Sequence, residues 1–136
     1  MADLFEMGTV RASERGADLE ILGPGNVGKT DVVFEVLGFD AEVVVQAARE
    51  FDRVEAKRPA EDREKDTDTV RIRRDIALAT AAVTGWSNVQ MKGKDAEFTP
   101  ELWAEMAADP NYRFLVRQVV AFGGNLGSFF PKASTD

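Results

Sequence analysis

The stretch that decides the fold runs from residue 75 to residue 130, DIALATAAVTGWSNVQMKGKDAEFTPELWAEMAADPNYRFLVRQVVAFGGNLGSFF. Ile76, Ala79, Ala82 and Val83 recur at helical spacing, and Gly85 stands where a left-handed, helix-terminating residue is wanted. Trp86 follows at once, a large apolar group where the chain must turn back. After the polar connection Lys92-Gly93-Lys94-Asp95, Thr99-Pro100-Glu101 offers an N-cap, a proline at the first helical position and an acid in the first turn. Asp109-Pro110 repeats that start signal. Leu102, Trp103, Met106, Phe114, Leu115, Val119 and Phe122 supply apolar faces, and Gly123-Gly124 stops the last helix. The stretch reads as a small helical packing unit with no catalytic groups in it.

Toward the N-terminus the pattern changes. Asp18-Leu19-Glu20-Ile21-Leu22 alternates, Gly23-Pro24-Gly25-Asn26 interrupts, and Asp31-Val32-Val33-Phe34-Glu35-Val36-Leu37 is rich in β-branched and aromatic residues before Gly38. These features predict a β-hairpin over 17–38 with a loop of about eight residues. Residues 1–16 are mixed: Leu4, Phe5, Met7 and Val10 suit a short strand or a packed arm, broken by Gly8 and Gly16. Asp40 is placed to cap a helix over 40–57, with Val44, Ala48 and Phe51 on one stripe and Val54 near its edge. The triplet Val43-Val44-Val45 would equally suit a strand, but length and the following residues favour a helix.

The hairpin loop contains Gly23-Pro24-Gly25-Asn26-Val27-Gly28-Lys29-Thr30, which matches the phosphate-cradling pattern of nucleotide hydrolases. That chemistry would use Lys29 against phosphate and Thr30 on a magnesium ion, with backbone donors from a helix beginning at the lysine. The residues that follow, DVVFEV, favour a strand instead. Gly23, Gly28, Lys29 and Thr30 therefore read as a glycine-rich hairpin loop, and no cofactor is expected. Glu61, Asp62, Glu64, Asp66 and Asp68 lack the glycine and terminal glutamate of a calcium loop and alternate with Arg and Lys. The 58–66 connection reads as a solvated charged loop, with no metal site. A helix over 67–84 follows, its Arg71, Arg73 and Arg74 suited to surface ion pairs.

The expected fold is α+β: a single domain over 1–136, with an N-terminal hairpin at 17–38, a mainly helical part at 40–130 and a frayed tail at 131–136. The helices are expected near 40–57, 67–84, 100–108 and 110–122. The chain has no cysteine and no histidine, which removes disulfides, thiolate chemistry and the commonest general base. A net charge of −7 argues against sequence-independent nucleic-acid binding. No apolar run reaches eighteen residues, and the N-terminus has no basic and apolar leader pattern. No membrane contact is expected, and a cytoplasmic address is permitted. Trp86 is expected to fill the junction between helices. Trp103, Phe122, Phe129 and Phe130 are the candidate partner-binding anchors, although for Phe129 and Phe130, which follow a glycine-loosened hinge, packing back on the core is the favoured reading.

One resemblance is carried by Gly85, Trp86, Asn88, Val89, Lys92, Gly93, Phe98 to Glu101, Asp109, Pro110, Asn125 and Phe129. In their order and spacing these residues resemble the tail assembly chaperones of long-tailed bacteriophages. Leu37, Gly38 and Asp40 extend the likeness, which covers roughly residues 17–130 and leaves out the 58–66 connection and the Gly-Lys-Thr loop. The resemblance implies a non-enzymatic protein of the bacterial host cytoplasm. Such a protein coats the long helical tape-measure protein and recruits tail tube subunits, and self-association would be compatible with that role. Two other readings stand beside it: a structural tail subunit (completion or adaptor), and a small nucleotide-binding protein using Lys29 and Thr30.

Overall fold

The computed structural model describes residues 1, 3–26, 28–59, 61 and 67–130. The expectations for most of the 58–66 connection and for the 131–136 tail lie outside these residues. The described chain is α+β and about 60% helical, with five α-helices, a three-stranded antiparallel sheet and a small two-stranded hairpin. In chain order the elements are α1 Thr9–Arg15, β1 Ala17–Leu22, β2 Lys29–Val36, α2 Glu42–Lys57, α3 Thr67–Ala82, β3 Val83–Ser87, β4 Gln90–Met91, β5 Lys94–Asp95, α4 Pro100–Ala108 and α5 Arg113–Gly123. None of the helices is long and apolar enough to cross a membrane.

The N-terminal hairpin forms as expected, with Leu19 opposite Phe34 and Ala17 opposite Val36. Its connection is 23–28, shorter than the eight residues read from the sequence, because β2 starts at Lys29. The order is β1-β2-β3, so β2 is the central strand. The third strand was not expected. Residues 83–87 pair with β2, placing Trp86 opposite Phe34 and Gly85 opposite Glu35. Gly85 is therefore not a left-handed helix stop; it is absent from the residues with positive φ. Its missing side chain has another use. A Cβ at Gly85 would stand 2.3 Å from Glu35 Oε2, so the glycine lets the Glu35 side chain fold across the strand.

The passage from α3 straight into β3 works because the buried end of α3 finds tertiary donors. The last four carbonyls of a helix lack partners within it. The Leu37 N–H donates to Ala82 O at 2.8 Å, and the Trp103 indole Nε1–H donates to Ala79 O at 3.0 Å. The helix needs no turn of its own there. At α2 the sequence-based cap is also replaced: Ala41, not Asp40, is the capping position, without a side-chain bond, and Glu14 Oε1 of α1 accepts from Glu42 N at 2.8 Å.

The later start signals hold. Thr99 Oγ1 accepts from Leu102 N at 3.0 Å with Pro100 opening α4. Asp109-Pro110 starts a single 3-10 turn, Pro110–Tyr112, and α5 proper begins at Arg113 rather than 110. Lys92 and Gly93 both have positive φ (54° and 80°), the signature of a two-residue type I′ turn joining β4 to β5.

One core gathers these elements. The sheet contributes Ile21, Phe34, Val36 and Val83, α2 gives Val44, α3 gives Leu78, Ala79 and Ala82, and α4 and α5 give Trp103, Met106, Leu115, Val116 and Val119. Helix α3 lies against α2, α4 and α5, and the sheet closes over α4 and α5. A hairpin alone would be marginal in water, and here its apolar face is covered.

Candidate functional site

The glycine-rich loop is the nearest approach to a phosphate site in the sequence. The segment that begins at Lys29 is β2, so the helix N-terminus that would supply phosphate donors is not there. Thr30 is used locally: its hydroxyl donates to Ile21 O at 2.8 Å, and its oxygen accepts from Val32 N at 3.2 Å. These bonds hold a bulge where Asp31 adopts a left-handed φ of 68° and its carbonyl accepts from Asn88 Nδ2 at 2.9 Å. A shallow polar depression lined by Glu20, Lys29, Asp31 and Asn88 lies beside the bulge. Among the described residues no group of three or more acidic side chains is placed to hold a metal ion.

The aromatic residues form two clusters. Phe34 stacks on Trp86 with centroids 5.7 Å apart and meets Trp103 edge-on at 5.3 Å, and Trp86 meets Phe98 edge-on at 5.0 Å. Trp103 is 0% exposed, at the centre of the core. Its place among the partner-binding anchors is corrected accordingly: the indole is inaccessible, and its N–H is engaged inside. Trp86 is half-buried and does fill a junction, though between the sheet and the segment before α4, its Nε1–H donating to Ala96 O at 2.8 Å. Phe129 is also buried and packs edge-on against the half-buried Phe122 at 5.3 Å, with Phe130 half-buried beside them. Its carbonyl accepts from Arg15 Nη2 at 3.2 Å. None of the four candidate anchors offers a fully exposed ring.

The exposed large apolar residues lie elsewhere. Leu4, Phe5, Met7 and Val10 are 80%, 67%, 52% and 55% exposed, and Val43 and Val54 on α2 are each 50% exposed. The first group forms an N-terminal arm: a 3-10 turn, Leu4–Met7, followed by α1. The arm is docked by its small and polar residues, Ala12 and Ser13 being buried, while its large apolar side chains stay in water. This inverts the usual arrangement of an amphipathic segment.

Of the second group, Val54 lines a trough between α2 and α3. It has a volume of about 840 Å³ and a mainly apolar floor of Ala47, Phe51, Val54, Ala77 and Ala81. Charges stand at its edges and are engaged. Arg53 holds Glu50 at 2.5 Å, Arg58 and Arg73 both reach Glu55 at 3.5 Å and 3.0 Å, and Arg74 bonds Asp52 at 3.1 Å. The ion-pair role expected for Arg71, Arg73 and Arg74 is met, two of the three pairs linking α3 to α2. The trough itself was missed in the sequence, although an exposed apolar position on α2 was signalled. Three consecutive helical positions span about 200° of the helix surface, so Val43, Val44 and Val45 cannot all face one core. Val44 is buried and Val43 faces outward.

The chain matches no family model, no curated protein and no solved structure.

Proposed function

We propose that the protein is a non-enzymatic phage tail assembly chaperone, binding the tape-measure protein and helping to recruit tail tube subunits. The observation that carries the reading is the α2–α3 trough. From Ala47 to Glu55 its α2 wall runs roughly 12 Å, just over two helical turns at about 1.5 Å per residue. Its floor is small and apolar, with Ala47, Ala77 and Ala81 allowing close approach. Such a face suits the apolar stripe of an amphipathic helix, read as anchors at i, i+3, i+4 and i+7. The partner's identity rests on the resemblance around Trp86, Lys92-Gly93, Thr99 and Asp109-Pro110. A tape-measure protein, long and helical, is the class of partner that presents such stripes repeatedly.

The arrangement favours binding over chemistry. Among the described residues the carboxylates near the trough are held by arginines, and the one polar depression beside Lys29 sits on a strand. The test is capture of the cognate tape-measure protein by the wild-type chain and by Ala81→Glu, which puts a charge on the trough floor. Capture by the wild type and its loss in the variant, with the fold intact by circular dichroism, is the expected result. Equal capture by both would exclude the trough. A structural tail subunit would instead be found in finished particles, from which a chaperone is absent.

A further inference from the structure

We propose that the apolar recess between the glycine-rich loop and the β4–β5 hairpin is a binding site for a single aromatic ring. The recess lies apart from the α2–α3 trough and shares no lining residue with it. Its volume is about 160 Å³. An apolar cavity of about 150 Å³ is enough to hold one benzene ring, whereas sites for whole small molecules run from roughly 300 to 1,000 Å³. The space therefore takes one ring and little more.

The recess opens where the register of β1 against β2 shifts. Ile21 and Thr30, which fall between the paired positions on either side of that shift, both line it. Buried Ile21, Phe34, Met106 and Leu115 make its floor, while Pro24, Thr30 and Gln90 are exposed at its mouth. Half-buried Val89 and Met91 form the wall on the hairpin side. That wall is able to give way to a guest. The β4–β5 ladder has two residue pairs, supplemented by the bond from Ala96 N to Val89 O at 2.9 Å, and so short a ladder is marginal by itself.

The chemistry of the lining selects an apolar guest. The floor carries no polar side chain. At the mouth the Thr30 hydroxyl is spent on Ile21 O and Val32 N, and Gln90 Nε2 donates to Asp95 Oδ1 at 3.2 Å. Water on the floor lacks the about two to four polar partners that hold an ordered molecule, and an apolar group that displaces it gains affinity. Met91 and Met106 favour an aromatic one, because their flexible thioethers adapt to a guest and make favourable contacts with ring edges. Phe34 already stacks on Trp86 and meets Trp103 edge-on, so a ring entering above it joins an existing aromatic cluster.

The test labels the methionine methyl groups with carbon-13 and follows them by NMR while toluene is added to the full chain. Of the four methionines, Met91 and Met106 line the recess, and Met1 and Met7 at the N-terminus serve as internal controls. The Met91 and Met106 signals are expected to move saturably while those of Met1 and Met7 stay in place. Val89→Phe, which fills the recess with a ring of its own, is expected to abolish the response with an unchanged far-ultraviolet spectrum. Met91→Phe, read at Met106, replaces it should that variant fail to fold. No saturable shift, equal movement of all four methyls, or a response that survives in the filled variant would overturn the proposal. Repeating the titration with N-acetyl-phenylalanine amide identifies the source of the ring. A matching response assigns the recess to the side chain of a peptide, and silence beside a toluene response assigns it to a free ring molecule. Neither the tape-measure protein nor the trough enters these measurements, so their failure would leave the chaperone reading untouched, and failure to capture that protein would leave this site untouched.

Discussion

Trp103 fills the centre of the core and caps the end of α3, while Trp86 lies in a strand with part of its ring in reach of water. Trp103→Phe would leave the Ala79 carbonyl buried without that donor, a loss of about 1–3 kcal/mol on top of any cavity. Trp86→Phe, at a half-buried site, should cost less. Urea unfolding of the two variants checks the order, and a larger loss for Trp86→Phe would contradict it. Lys29 is exposed on a strand, and Lys29→Ala should change stability by less than about 0.5 kcal/mol. Calorimetry with ATP and magnesium should give only heat of dilution; micromolar binding abolished by the substitution would restore the nucleotide reading. At this scale the sequence was readable where a residue acts on its neighbours, as Thr99 does in capping α4. It was opaque where the partner is distant in sequence. The Trp103 indole meets a carbonyl 24 residues away, and Glu14 caps a helix 28 residues on. Nothing near either residue announces the contact.

Among the elements, the α2–α3 pair carries opposed responses to pH. The Asp52 carboxyl is held below its usual range chiefly by its hydrogen bond to Arg74. A depressed folded pKa means a contribution present above the unfolded value near 3.8 and lost as pH falls through the folded one. For so exposed a pair the contribution is small, within the roughly 0–1 kcal/mol of surface ion pairs. Asp75 on the same helix behaves the other way, burial raising its carboxyl above the usual 3.8 against the pull of Arg71 and Arg74. Its folded form takes up a proton first, so the ionised group costs stability at neutral pH and the cost disappears as pH falls toward 3.8. Asp75→Asn should therefore stabilise the protein near neutrality, with the gain shrinking in acid, whereas Asp52→Asn should slightly destabilise it near neutrality. Thermal melts across pH check both signs, and a gain for Asp75→Asn that grew in acid would contradict this account. The elements themselves were largely legible. Hairpin, α2, α3, α4 and α5 follow from periodicity, caps and proline placement. Strand β3 was not, because Val83-Thr84-Gly85-Trp86-Ser87 continues a helical stripe and carries a glycine that reads as a stop. Only pairing with β2 makes it a strand. Helix α1 is seven residues long between two glycines, too short for a periodic signal.

Taken whole, the molecule is a packed core with two apolar surfaces left in water, the arm and the trough. Both are built from side chains that composition alone assigns to a core. The sequence placed the partner-binding aromatics in the C-terminal helices, and folding buried Trp103 and Phe129 there. Exposure depends on which face of a helix finds a neighbour, and that is settled by the assembly of elements. A net charge of −7 opposes nonspecific association through those surfaces. The proposed role is to bind and protect a tape-measure protein. Co-expression of the cognate tape-measure protein with and without this chain, followed by size exclusion of the soluble fraction, tests it most directly. The tape-measure protein is expected to be soluble only in the presence of this chain and to elute with it as a complex. A tape-measure protein equally soluble alone, with no complex recovered, would contradict it.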